Sequence, residues 1–201
     1  MKARLGSNRP LRLTRIALSI LITSLFVSAL IGITVILIGR FDETEMRILA
    51  TAATLAGFSV VSLPSLFHLE RGGYQNIALL GVLASFIVFV LVLLVIWGEG
   101  IFDDEVYLKV LTTVGVIAFS INHILLMLIA TPTKFVVLVC QRVTTLVITA
   151  VAVLILIVIW TGDIPDGMVR IFAILGVLDA LGTIVMPLLV RMSRPRGLKA
   201  T

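Results

Sequence analysis

The chain has 201 residues, of which 60% are hydrophobic and only 13% are charged, and its mean hydropathy is +1.20. A water-soluble domain of this size needs many more polar groups to cover its surface, so the composition excludes that class. The net charge of +5 lies in tails and short loops beside apolar stretches, where membrane topology and anionic lipid explain it better than nucleic acid does. We therefore expect an integral membrane protein that contacts membrane lipids, including anionic lipid at the cytoplasmic face, and that binds no nucleic acid.

Six stretches of the sequence are apolar over about 20 residues, the length that a helix needs to cross about 30 Å of hydrocarbon. Because these runs are continuous and not alternating, they predict helices and exclude the strands of a membrane barrel. The fold class expected is therefore all-α, a polytopic membrane protein with six transmembrane helices. The predicted spans are Ile16–Ile38, Met46–Phe67, Ile77–Trp97, Val106–Met127, Val143–Trp160 and Met168–Val190.

The first apolar stretch follows a basic tail over residues 1–15. A signal peptide also begins with basic residues, but this stretch is too long for the apolar part of a signal peptide and lacks a small-residue cleavage site. We therefore expect the stretch to be retained as a membrane helix. Small residues recur on it at every fourth position, which favours close helix packing, at Ser24, Ser28 and Gly32.

The distribution of basic residues predicts the orientation, because lysine and arginine near helix ends are retained on the cytoplasmic side. The 16 basic residues all fall on one side of the six-helix arrangement except Arg40, Arg47, Lys109 and Arg170. Both termini are therefore expected in the cytoplasm. The expected location is the plasma (inner) membrane of a cell.

An internal repeat with an offset of 61 residues runs through the chain. The segment FDETEMRILATAATLAGFS, 41–59, matches FDDEVYLKVLTTVGVIAFS, 102–120, without a gap, and a more diverged copy begins at Asp163. This periodicity predicts three tandem two-helix hairpins that point the same way. The expected organisation is a basic tail at 1–15, hairpins at 16–73, 74–132 and 133–191, and a second basic tail at 192–201.

The turn before the second helix of each hairpin is acidic. Asp42 with Glu45 three residues later has the pattern of a capping box, which satisfies free N–H groups at a helix start. Acid-then-base pairs four residues apart face each other on a helix and are expected to be structural ion pairs, with a ring of charge at an outer mouth as the alternative. These pairs are Glu43 with Arg47, Glu105 with Lys109, and Asp166 with Arg170.

Three aromatic rings fall at predicted helix ends. Trp97 and Trp160 end the third and fifth spans, where an indole places its ring in the interface and keeps its N–H in water. His68 follows the second span, so we expect it to be a solvated interfacial side chain.

Asn122 and His123 form the most polar part of the fourth span. An amide and an imidazole in hydrocarbon need partners, so both are expected to face other helices. Haem ligation is the alternative for His123, but no second histidine is placed to complete a bis-histidine site. We expect hydrogen bonding, with no cofactor and no metal.

Asp179, near the middle of the sixth span, is the strongest functional lead. A charged carboxylate at mid-membrane costs about 2.5 to 3.5 kcal/mol on insertion scales, so Asp179 must be protonated or have a partner inside the bundle. Its repeat counterparts are Gly57 and Ala118, so the carboxylate is a departure from the shared scaffold. A proton or cation site and a neutral aspartate that hydrogen-bonds across helices or to another subunit are both consistent with the sequence. The partners considered are His123, Asn122, Thr112 and Thr113.

The loops are too short to form a soluble catalytic domain, and the sequence carries no phosphate-binding loop, nucleophile elbow or paired metal histidines. We therefore do not expect an enzyme. The favoured function is a non-catalytic accessory or scaffold subunit that packs through small-residue helix faces, with other membrane subunits or further copies of the chain as partners. The alternative is a small ion- or proton-coupled transporter or channel with Asp179 as its intramembrane site.

Overall fold

The protein is described here from a computed structural model, which covers residues 9–38, 42–98, 104–130, 134–165 and 167–193. These residues form α1 (Arg9–Ile38), α2 (Glu43–Arg71), α3 (Gln75–Trp97), α4 (Glu105–Leu128), α5 (Phe135–Thr161) and α6 (Met168–Ser193). The all-helical prediction is confirmed, and each predicted span lies inside one of the six helices. Within these ranges five helices, α2 to α6, are long and apolar enough to cross a membrane, and α1 contributes the shorter apolar segment Ile22–Ile38.

The helix ends follow from local sequence chemistry. The capping box expected at Asp42 is present, with the Asp42 N–H donating to Glu45 Oε2 over 2.7 Å. At the start of α4 the Asp104 carboxylate accepts hydrogen bonds from the N–H groups of Val106 and Tyr107, at 2.9 and 3.1 Å. Asp104 follows Asp42 by 62 residues, one more than the offset of the sequence repeat. The two helix starts are therefore related in chemistry but shifted by one residue.

The chain divides into two compact units, unit 1 (Met1–Asn122) and unit 2 (His123–Thr201). The division falls inside α4, so this helix supplies Asn122 to unit 1 and its last turns, beginning with His123, to unit 2.

Unit 1 is built by close packing of α1 on α2 and of α2 on α3. The Ser24 and Ser59 hydroxyls lie 3.1 Å apart across the first of these contacts. Across the second, the Phe58 ring packs at a centroid distance of 5.2 Å from the ring of Phe89. Small side chains on α2 allow these close approaches, as expected for helices that pack within a membrane.

His68 near the end of α2 is buried, with only 5% of its surface exposed, so the expectation of a solvated histidine was wrong. The turn after α2 explains the difference. Gly72 and Tyr74 both have positive φ, of 72° and 55°, and the chain reverses there into α3. The Tyr74 ring returns to a centroid distance of 5.8 Å from the His68 imidazole and helps to cover it.

Unit 2 is built on the packing of α5 against α6. Its buried core consists of Met127, Val137, Ile148 and Met186. The helices cross closely at Gly182, where an added Cβ would lie only 3.0 Å from Thr144 Cβ, so only glycine fits without a shift. Gln141, which is 5% exposed, donates from Nε2 to the carbonyls of Met127 and Ala130 at 2.9 and 3.2 Å. Gln141 thereby satisfies carbonyl groups at the end of α4 that have no partner within that helix.

Candidate functional site

The three polar residues that the sequence singles out inside the spans lie in two different clusters. Asn122 belongs to a cluster in unit 1, whereas His123 and Asp179 meet in unit 2. Successive residues of an α-helix point about 100° apart, so neighbours on α4 face different helices. The structure therefore brings together two of the three predicted site residues.

The first group, named here the asparagine–serine cluster, consists of Ser65 on α2, Ser85 on α3 and Asn122 on α4. The Ser65 hydroxyl donates to Asn122 Oδ1 over 2.5 Å, and Asn122 Nδ2 donates to the Ser85 hydroxyl over 2.9 Å. Asn122 Nδ2 also lies 2.8 Å from the carbonyl of Ala118. All three cluster side chains are at most 5% exposed. Both ends of the Asn122 amide therefore have partners, and the cluster links three helices.

This cluster depends on a close approach of α2 and α3. A Cβ added at Gly81 would overlap the Ser65 hydroxyl and would lie 3.1 Å from Ile121 Cγ2. The absence of a side chain at Gly81 therefore leaves the space in which Ser65 reaches Asn122. The arrangement links three helices of unit 1 through hydrogen bonds and therefore supports a structural role.

The second group, named here the histidine–aspartate site, consists of His123 on α4 with Asp179 and Thr183 on α6. His123 Nε2 lies 3.1 Å from the Thr183 hydroxyl and 3.8 Å from Asp179 Oδ1. The His123 and Asp179 side chains are 15% and 24% exposed. Asp179 Oδ1 itself is buried and has no hydrogen-bond partner within the described part of the chain.

The geometry leaves the histidine–aspartate site incompletely bonded. A separation of 3.8 Å is within the range of an ion pair but too long for a hydrogen bond. Buried polar oxygens are normally hydrogen-bonded, and an exception needs an explanation such as a functional role or a bound ion. A carboxylate beside an imidazole provides the atoms that could bind a proton or a cation.

Two further residues on α6, Thr183 and Pro187, were not predicted from the sequence. Thr183 follows Asp179 by one turn and so shares its helix face, which is a signal that the sequence contains. Pro187 follows by another turn and has no N–H to donate to the carbonyl of Thr183. Asp179 and Thr183 therefore place a carboxylate and a hydroxyl one turn apart on one side of α6, and the Thr183 carbonyl lacks its usual helical donor.

The other predicted residues lie at helix ends. Ion pairs form between Glu43 and Arg47 and, at 2.6 Å, between Glu105 and Lys109. Both acids are 80% exposed, which is typical of pairs that contribute little to stability. Arg170 is exposed at the start of α6, and its predicted partner Asp166 lies outside the described residues.

Both predicted interface tryptophans are exposed, Trp97 by 50% and Trp160 by 58%. The Trp97 indole N–H donates to the Thr51 hydroxyl on α2 over 3.1 Å. That hydroxyl also donates to the carbonyl of Arg47, so it links the end of α3 to the first turns of α2.

Across the described ranges no group of three or more histidine, cysteine, aspartate or glutamate side chains is placed to hold a metal ion. Comparison of the chain with models of protein families, with curated proteins and with solved structures finds no match in any of the three. Functional inference therefore depends on the geometry of the chain itself.

Proposed function

We propose that this chain is a small membrane transporter or channel that moves protons or a small cation, with His123 and Asp179 as the intramembrane binding site. One observation carries the proposal: Asp179 Oδ1 is buried, lies 3.8 Å from His123 Nε2, and has no hydrogen bond to any residue that the structure describes. Ionisable residues inside membrane helices are costly, and they commonly mark the path of an ion or proton.

The physical basis of the proposed site is charge compensation. A protonated His123 offsets the negative charge of Asp179, whereas a neutral His123 leaves a carboxylate that attracts a proton or a cation. In both states the negative charge of Asp179 is balanced by one positive charge, which is either the proton on His123 or a bound proton or cation. Loading and release of that charge is the step that transport requires.

The proposal includes an orientation and an architecture. The positions of the lysine and arginine residues support placing both termini in the cytoplasm, with the chain in the plasma membrane. The 61-residue repeat supports three parallel hairpins, and therefore six crossings. Single-cysteine variants at the two chain ends, made in a Cys140→Ser background, should resist a membrane-impermeant reagent in intact cells. Labelling of either end from outside would contradict this topology.

A flux assay tests the proposed transport. The purified chain is placed in liposomes that hold a pH-sensitive dye, and a proton gradient and a potassium diffusion potential are imposed separately. Wild-type protein should accelerate the entry of protons. If the transported ion is a cation, it should instead accelerate the entry of one alkali cation, tested over a series of such cations in a parallel assay. Asp179→Asn, which keeps the shape but loses the charge, should abolish the flux.

Asp163→Asn is the matched control, because Asp163 is an exposed carboxylate after the end of α5. This variant should transport like the wild type. All three proteins must elute at the same volume in size-exclusion chromatography, so that loss of flux is separated from loss of folding. Absence of flux in the wild type would refute transport, and normal flux in Asp179→Asn would refute the assigned site.

A second candidate, an accessory or scaffold subunit, is supported by an exposed glycine on α6. A Cβ added at Gly176 would meet no atom of the described residues within 4 Å. Small residues allow close contact between membrane helices, and Gly176 is not used for such a contact by the described helices of the chain. Another copy of the chain or a different membrane subunit is the partner in this proposal.

The subunit proposal is tested by measuring association. Native mass spectrometry of the chain released from its own membrane should detect a stoichiometric complex. Gly176→Leu should weaken that complex, whereas Val177→Leu, one residue away at a side chain that is 67% exposed, should not. Isolation of a monomer alone, without a copurifying partner, would contradict the subunit proposal.

A further inference from the structure

Unit 2 contains a groove of about 580 Å³ between the end of α4 and the second half of α6. This volume falls within the range of about 300 to 1,000 Å³ that is usual for ligand pockets. On α6 the groove is lined by Thr183, Met186, Pro187, Val190 and Arg191. Their spacing places them on one helix face over about 12 Å. The opposite wall is apolar and includes Leu126, Met127 and Ile129.

The groove is amphipathic along its length. Its walls are apolar except at two places, Thr183 near one end and the exposed guanidinium residue Arg191 at the other. Arg191 lies in the last turn of α6, and the sequence after it adds Arg194, Arg196 and Lys199. An occupant with an apolar chain and an anionic head would match this order of surfaces.

We infer that the groove binds one anionic phospholipid, with an acyl chain between α4 and α6 and its phosphate at Arg191. Arginine suits this position because its planar fork of N–H donors matches the phosphate oxygens. Its long aliphatic stem lies along apolar surface while the charged group reaches the headgroup layer. Charge complementarity at Arg191 selects the lipid class, and the apolar walls exclude a free inorganic anion.

The interaction of Arg191 with the end of its own helix is the simpler alternative, since a cation is favoured near helix C-terminal carbonyls. That role requires no lipid. Lipid binding and helix stability must therefore be measured separately.

The experiment uses the full chain in detergent micelles, with native mass spectrometry during titration with two lipids. The lipids are phosphatidylglycerol and phosphatidylcholine with identical acyl chains. Wild-type protein should retain one molecule of phosphatidylglycerol and bind it about fivefold more tightly than phosphatidylcholine, the factor expected for one basic residue at a membrane surface. Arg191→Gln should abolish this preference, and Arg191→Lys should retain most of it.

Arg170→Gln is the matched control, because Arg170 is exposed at the opposite end of α6 and does not line the groove. It should leave the preference unchanged. Ala130→Phe, which fills the groove, should weaken binding of both lipids. Thermal unfolding of each variant without added lipid measures any helix-end effect of Arg191. Equal binding of the two lipids by the wild type, an unchanged preference in Arg191→Gln, or displacement of the lipid by inorganic phosphate would overturn the inference.

Discussion

The asparagine–serine cluster and the histidine–aspartate site begin at consecutive residues of α4, yet their hydrogen bonding differs sharply. Asn122 has partners at both ends of its amide. Its Oδ1 accepts from the Ser65 hydroxyl over 2.5 Å, and its Nδ2 donates to the Ser85 hydroxyl over 2.9 Å. Asp179 Oδ1 is buried with no hydrogen bond in the described part of the chain. A fully satisfied polar network rigidifies the helices that it joins, whereas a buried polar group without a partner is energetically costly and needs an explanation. The comparison separates a structural polar group from a candidate functional one.

The largest expected effect on this comparison comes from closing the space at Gly81. Gly81→Val should lower the free energy of unfolding by about 3 kcal/mol, because the new side chain overlaps the Ser65 hydroxyl and meets Ile121. Gly115→Val, at a position with open space, should change it by less than about 0.5 kcal/mol. Unfolding in mixed micelles measures both. Similar losses in the two variants would show that the asparagine–serine cluster does not depend on close packing.

Loss of the central amide should have the next largest effect. Asn122→Leu removes the hydrogen bonds to Ser65 and Ser85 and a longer one, of 3.5 Å, to the Gly81 carbonyl, and interhelical hydrogen bonds contribute about 0.6 kcal/mol on average and at most about 1.7. We expect stability to fall by about 1 to 2 kcal/mol. The exposed residue Asn76 gives a matched control, Asn76→Leu, with no loss. Proton or cation flux through folded Asn122→Leu protein should equal that of the wild type. Loss of flux would place Asn122 in the functional site.

Asp179→Asn should have the opposite effect on stability. Because the carboxylate is incompletely bonded, removing its charge should leave the free energy of unfolding unchanged or raise it by up to about 1 kcal/mol. Chemical denaturation of the same preparations used for flux would measure this. A loss of more than about 1 kcal/mol would show that the aspartate is a structural partner of His123, and the contrast with Asn122 would disappear.

Thr183→Val should have the smallest effect. It removes the hydroxyl that lies 3.1 Å from His123 Nε2, which predicts a loss of about 0.6 kcal/mol. Thr149→Val is the control, since the exposed Thr149 hydroxyl donates to the carbonyl of Thr145 in its own helix. A double-mutant cycle with His123→Leu isolates the interaction. Additive effects in that cycle would rule out a functional hydrogen bond between the two side chains.

The helices were predictable because each is encoded by a long continuous apolar run, and such runs specify helix whatever they pack against. The helix ends were predictable where a side chain caps its own backbone, as at Asp42. The burial of His68 was not, because it depends on how the Tyr74 ring returns after the turn. A local pattern gives the position of a residue along the membrane normal but not what covers its side.

The residues of the histidine–aspartate site could be predicted from the sequence, but the contact between them could not. Composition identifies Asp179 and His123 as costly groups in a span, but their separation depends on the rotation and crossing of α4 and α6. Helix periodicity alone does indicate two details, the shared face of Asp179 and Thr183 and the divergence of Asn122 from His123. The hydrogen-bond partners of Asn122 come from two other helices, and sequence spacing says nothing about them.

The Gln141 side chain also has a consequence for how the protein is made. It donates to the carbonyls of Met127 and Ala130 from the following helix, so these two hydrogen bonds can form only after α5 has been synthesised. Backbone carbonyls left unsatisfied in lipid are costly. We therefore expect a nascent chain truncated before Gln141 to integrate the end of α4 less efficiently than one that includes Gln141.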